Sequence, residues 1–173
     1  MGCSVTLTGI STTCAGQRGG IKIAYAINKS DVVSVTVATN QITAITLATG
    51  KHLIPFEFRK NTGSLTSTYT IDDATGVKYV TSALALQFSK METTKRVAFQ
   101  ALVEGETVCI AEDNNGSRWF LGFDNPVTAT EATAQTGTAG GDLNGYNITL
   151  TDESNELPYE INMSDADWAA LLS

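Results

Sequence analysis

The chain has 173 residues, 42% of them hydrophobic, which is enough for a single domain (1–173) with a proper core and gives no reason to divide it. Its formal charge is −7 with a pI near 4.6, so the counterion release that drives tight DNA or RNA binding is absent for the chain as a whole. No stretch approaches the ~20 apolar residues of a membrane span, and no charged n-region precedes an apolar run, which predicts a product made in the cytoplasm with no membrane partner.

Cys3, Cys14 and Cys109 form an odd set without C-x-x-C spacing, so buried free thiols are expected rather than a disulfide scaffold or a zinc site. Cys3, Val5 and Leu7 alternate with Ser and Thr, the period of a half-buried strand. A polar, glycine-rich turn follows over 9–20. Residues 21–27, 33–37 and 42–47 are short β-branched runs separated by Asn28-Lys29-Ser30-Asp31 and by Asn40, which predicts strands of a sandwich or barrel rather than a βαβ sheet. Residues 53–59 read as another strand, placed at an edge by Pro55, which cannot donate to a ladder.

Residues 64–88 predict a long hairpin around Asp72-Asp73-Ala74-Thr75-Gly76. Its returning arm of about a dozen residues spans about 40 Å, so part of it is expected to project beyond the domain. Val77 and Tyr79 lie on one face of that arm and Val80, Leu84, Leu86 and Phe88 on the other, which suggests a bulge or a strand that leaves its own core. Ser89-Lys90-Met91-Glu92 has the form of a capping box opening a helix over 90–104, and Gly105 is expected to end it in the left-handed conformation. Val108 and Ile110 then face Trp119, Leu121 and Phe123 across Asp113-Asn114-Asn115-Gly116, a strong hairpin signal. Residues 126–141 are rich in Thr, Ala and Gly and bury little by themselves. They predict either a mobile loop or an arm ordered by a partner. Strand character returns at 147–151 and 158–163, and Ser164-Asp165-Ala166-Asp167 opens a short C-terminal helix that must dock through Trp168, Leu171 and Leu172. The expected fold is therefore mainly β: a sandwich or barrel with a long projecting hairpin, one packed α-helix and a short C-terminal helix.

The sequence carries few groups arranged for chemistry. His52 is the one histidine, and no G-x-S-x-G elbow or H-E-x-x-H motif is present. Asp113-Asn114-Asn115-Gly116 and Asp142-Leu143-Asn144-Gly145 faintly resemble calcium loops, but neither supplies the bidentate Glu of a complete one, and turn formation explains both. Asp72, Asp73, Glu104, Glu106, Glu112 and Asp113 offer carboxylate pairs of the kind glycoside hydrolysis needs, as any acidic β-protein does. Trp119 and Tyr146 offer a sugar-stacking platform, although aromatics on hairpins are more often core. No catalytic residue, cofactor or metal is predicted, and the chain is not expected to be an enzyme.

The order of elements is short strands, a long hairpin (64–88), one helix (90–104), a strand pair (106–123) and a late strand near Gly145-Tyr146. This order resembles the tail-tube protein family of tailed bacteriophages. Leu121-Gly122-Phe123-Asp124-Asn125-Pro126, Thr136-Gly137 and Gly141-Asp142-Leu143-Asn144-Gly145-Tyr146 resemble structural proteins of phages that infect Bacteroidota. The resemblance implies a protomer whose sheets join across six subunits into a ring. Rings stack into a hollow conduit for DNA ejection in the virion tail, and the partners are copies of itself, other tail proteins and DNA in transit. It makes the hairpin and the small-residue arm the contact surfaces, with Tyr69, Ile71, Val77, Tyr79, Val127, Thr128, Thr130, Trp168 and Leu171 as candidate inter-subunit residues. An acidic wall that repels phosphate suits such a passage, and only 17% of residues are charged against about 25% in an average domain. A connector or baseplate ring, a carbohydrate-binding sandwich and a hydrolase remain the alternatives.

Overall fold

Short β-branched runs bury one face each and therefore stack in layers. The computed structural model describes residues 7–12 and 14–173. The described residues form strands β1 (Ile21–Asn28), β2 (Val32–Ala38), β3 (Gln41–Leu47), β4 (Ile54–Phe56), β5 (Gly63–Asp72) and β6 (Val77–Ser89), then helix α1 (Thr93–Glu104). They continue with β7 (Thr107–Asp113), β8 (Arg118–Leu121), β9 (Thr128–Gln135), β10 (Gly145–Ser154) and β11 (Tyr159–Ile161), and end with helix α2 (Asp165–Ala170). One sheet has seven strands in the order β2-β3-β11-β8-β7-β1-β4, and the other has four in the order β5-β6-β10-β9. The fold is mainly β and sandwich-like.

Two cores share the larger sheet. Between the sheets, Leu84 and Leu86 of β6 and Ile148 and Leu150 of β10 meet Ala24 and Ala26 of β1, Cys109 and Ala111 of β7, and Leu102 of α1. On the far side of the larger sheet, Tyr25, Ile27, Val108, Ile110 and Phe120 pack with Ile42, Ile45, Trp168 and Leu171. Alternation along β7 thus feeds one core with odd residues and the other with even ones, and Thr107 through Glu112 are all buried. Each fully buried large apolar side chain contributes about 1.5–3 kcal/mol relative to exposure.

Turn chemistry matches the sequence in several places. Thr39 and Asn40 both have positive φ (54° and 61°), the two-residue turn whose twist suits the β2–β3 hairpin. At the β7–β8 tip, Gly116 has φ 92° and Asp113 Oδ1 accepts from the amides of Asn115 and Ser117 at 2.7 and 3.0 Å. Pro55 lies on β4, the edge strand beside β1. Ser164 caps α2 by accepting from the Asp167 amide at 3.1 Å.

Other expectations are corrected. Most of the 64–88 hairpin is held in the sheet rather than projecting from it: β6 pairs with β10 continuously from Val80 to Ser89 and with β5 from Val77 to Leu86. Only the three residue pairs nearest the turn lack a third strand, and neither register contains a bulge. The apparent change of buried face arises at the tip, where Val77 and Lys78 are exposed on opposite faces; from Val80 to Leu86 the even-numbered face is the buried one. Ser89 caps no helix, because it closes the β6–β10 ladder opposite Gly145 and the chain then turns at Lys90 with φ 68°. That left-handed residue is incompatible with a first helical turn, so α1 begins at Thr93 with Glu92 flanking it and no side-chain cap. Gly105 has φ −84°, and what it needs is space, since a Cβ would lie 2.8 Å from the Ala101 carbonyl oxygen. Residues 126–141 are neither a loop throughout nor dependent on a partner, because β9 is ordered by its own β10. The strand expected at 53–59 shrinks to three residues. The strand expected from Cys3 to Leu7 lies outside the described residues except for Leu7, which is exposed and unpaired with any strand.

Candidate assembly surface

Side chains alternate across a sheet, so the core-facing residues of the smaller sheet fix which ones face outward. Its outer face carries Ser64, Thr66, Thr68 and Thr70 of β5, Thr81, Ala83, Ala85 and Gln87 of β6, and Asn147, Thr149 and Thr151 of β10. Beside them lie Thr128, Glu131, Thr133 and Gln135 of β9, and Thr130, whose hydroxyl is 2.8 Å from that of Thr151. β5, β9 and β10 contain no Lys or Arg, and the one cation of β6, Lys78, sits opposite Ile71 on the other face. Asp72, Glu131 and Glu153 supply the only charges on the outer face, all negative.

β5 and β9 are the edges of this sheet, each with one side unpaired in the protomer. Because all pairs in the sheet are antiparallel and the strands number four, the two edges run in opposite directions. β9 is eight residues long, almost wholly exposed and charged only at Glu131. Such an edge is a template for main-chain pairing.

The ends of the sheet differ in charge. Arg59, Lys90 and Lys95 gather where β6 ends and β10 begins, against Glu92 and Asp142; Lys90 and Lys95 reach Glu92 at 2.9 and 3.2 Å. These ion pairs hold the partly exposed Glu92 carboxyl below its ordinary range. At the opposite end lie Asp72, Asp73, Asp124, Glu153 and Glu156, with Lys78 and Lys29 against them.

The expected contact residues separate into three groups. Tyr69, Ile71 and Val77 are exposed at the hairpin tip, at 50%, 61% and 44%, and Tyr79 is half-buried beside them. Thr128 and Thr130 are exposed on the β9 edge. Val127, Trp168 and Leu171 are spent inside the protomer: Val127 is fully buried and exchanges main-chain bonds with Thr107, while Trp168 and Leu171 close the second core. Trp168 meets the Tyr25 ring edge-on at 5.2 Å and lies under the Arg118 guanidinium at 4.3 Å. Glu112 holds Arg118 at 2.9 Å and Lys22 at 3.1 Å. The outer-face Thr ladder on β5, β6 and β10 was missed by residue-by-residue reading; its signal was the run of Thr and Ser at every second position of β5.

Residues singled out for chemistry are occupied with structure. Asp142 Oδ2 accepts from the Thr138 and Ala139 amides, both at 2.8 Å, which lowers its carboxyl pKa. Asn144 Oδ1 accepts from the Met91 amide at 3.1 Å. Among the described residues, no group of three or more His, Cys, Asp or Glu side chains is arranged to hold a metal ion. His52 is exposed. Tyr146 is buried against Phe99 at 4.7 Å, so it forms no platform with Trp119. Cys109 is buried and its thiol is pushed up to about 12, whereas Cys14 is exposed, contrary to expectation; Cys3 lies outside the described residues. No helix among the described residues is long and apolar enough to cross a membrane.

No protein-family model, no curated protein and no solved structure matches this chain.

Proposed function

We propose that this chain is a structural protein that assembles through its four-stranded sheet into stacked rings, serving as the tail-tube protein of a tailed bacteriophage or as another ring of the same tail. The observation that carries this reading is the outer face of that sheet, which is hydroxyl-rich, weakly acidic and without a cationic side chain. DNA slides past such a wall without releasing counterions to it.

The opposite directions of β5 and β9 favour the same reading. In a rotationally symmetric ring each β9 meets the next copy's β5 antiparallel, so the ladder continues without a break and no edge is left over. Six copies of the sheet would give about 24 strands; at ~4.8 Å spacing and ~40° tilt the circumference is about 150 Å and the diameter about 48 Å. That leaves an open bore wider than a DNA duplex after side chains are added. The opposite charges of the two ends favour rings stacked in one orientation.

Negative-stain micrographs and light scattering of the full chain at rising concentration test the proposal. Rings or tubes with a central hole are expected. Added salt should loosen stacking through the charged ends before it opens the rings, which are held by main-chain hydrogen bonds. A monodisperse monomer throughout would overturn it.

A further inference from the structure

At the acidic end of the sandwich, the loop after β8 and the loop between β10 and β11 enclose a cleft of about 170 Å³. The two loops are tied together, because Asp124 Oδ2 accepts from the Asn155 backbone and side-chain amides at 3.1 and 3.2 Å, and Asn125 donates to the Glu153 carbonyl at 2.9 Å. Aromatic rings form one wall: Phe123 lies 6.5 Å from Phe120 and 5.1 Å from Tyr159, centroid to centroid. Asp124, Asp152 and Glu156 bring carboxylates to the same space.

Asp152 distinguishes this cleft from an ordinary acidic surface. It points into the sandwich from β10 at 2% exposure, and its Oδ1 has no hydrogen-bond partner. A buried carboxylate oxygen with nothing donating to it carries a full desolvation cost, and native proteins rarely keep one without a purpose. Lys29 is the cation that faces Asp152 and Asp124, but its Nζ is directed to the carbonyls of Gly122 and Phe123. Glu153 adds further negative charge from the neighbouring position. Glu156 accepts from the Tyr159 hydroxyl, and the balance is a surplus of negative charge beside the exposed Phe123 and half-buried Tyr159 rings, the combination that attracts organic cations.

We infer that this cleft receives an alkylammonium or guanidinium group, held by Asp152 Oδ1 and Asp124 against the Phe123 and Tyr159 rings. A hard divalent ion would require about six oxygen ligands and gains nothing from the aromatic wall. A sugar ring would need more room, since small-molecule sites usually start near ~300 Å³. An ammonium or guanidinium head fits the volume, supplies the missing donor to Asp152 and uses the rings.

The test follows the Asp152 carboxyl carbon by NMR, assigned by comparison with Asp152→Asn, during titration with n-butylammonium at constant ionic strength. A saturable shift is expected, lost in Asp152→Asn and with affinity about tenfold weaker in Phe123→Leu, where the ring face is gone but the volume is nearly kept. A shift that instead appears on raising protein concentration, without added amine, would support the same site filled by a Lys or Arg of a second copy. An unmoved carbon in both arms, or equal response to sodium, would mean a resident water at Oδ1 and would overturn the assignment. Circular dichroism of both variants checks that each is folded. The cleft is not on the outer face of the four-stranded sheet, so its failure leaves the ring proposal standing, and failure of the ring proposal leaves the cleft.

Discussion

The two sheets share one core but differ in what lies behind them. The seven-stranded sheet is packed on both sides, against the smaller sheet on one and in a second cluster with Trp168 and Leu171 on the other. The four-stranded sheet is covered on one side only, and its second face and two edges meet solvent. The helices repeat the contrast: six-residue α2 buries Trp168 deep in the second core, whereas twelve-residue α1 fully buries only Leu102 and leaves Val97 57% exposed. Stability is therefore concentrated in the larger sheet, while the smaller one holds unused hydrogen-bonding capacity and a surface free of packing constraints.

Substitution on each side gauges that division. Trp168→Ala removes the ring that packs on Tyr25 and under Arg118, and is expected to cost about 3–5 kcal/mol in urea unfolding. A loss under about 1 kcal/mol would mean the second core matters little. A smaller, pH-dependent effect is expected at Asp152, on the inner face of the smaller sheet. Burial raises its carboxyl pKa first of all, with the Gly122 amide and Lys29 pulling down and Asp124 pushing up. Between the unfolded pKa and the raised folded one, the folded state therefore binds more proton than the unfolded state. The stabilising contribution is complete below the unfolded carboxylate pKa of about 3.9 and disappears as pH rises through the elevated folded value. Stability of the wild type relative to Asp152→Asn should therefore fall as pH climbs from acid toward neutral, and a difference independent of pH would contradict the burial of that carboxylate. The smallest effect on stability belongs to Thr66→Lys with Thr149→Lys on the bare face, within about 0.5 kcal/mol per site. The same double variant should acquire salt-sensitive DNA retention that the wild type lacks, measured by mobility shift. A large loss of stability there would show that the outer face is not free.

Much of the fold was legible because its signals are local. β-branched runs of five to seven residues gave β1, β2, β3 and β10, and Asn115-Gly116 and Asn40 marked two of the tight turns. Ser89 misled because its capping pattern competed with a ladder partner some 56 residues away, and the ladder to Gly145 won. The 128–135 segment was illegible for the opposite reason: Thr and Ala carry little apolar pattern, and β10 ordered them through main-chain bonds that any residue can make. Trp168 and Leu171 were legible as docking residues but not as residues of their own protomer, since an apolar stripe does not name its partner. Of the candidate contacts, the hairpin tip and the β9 threonines stay at the surface, whereas Val127 was lost to the core.

By itself the sequence determined the class of fold, most strand positions, the acidic balance and the scarcity of cations along residues 63–89 and 128–154, because periodicity, turn residues and charge are properties of neighbours in the chain. Tertiary structure decided which sheet each strand joined, that β7 would serve two cores, that four strands would leave edges running in opposite directions, and that Asp152 would be buried without a partner for Oδ1. Those outcomes depend on contacts between residues far apart in the chain, where the cost of closing a long loop grows only slowly with its length and many pairings compete on nearly equal terms.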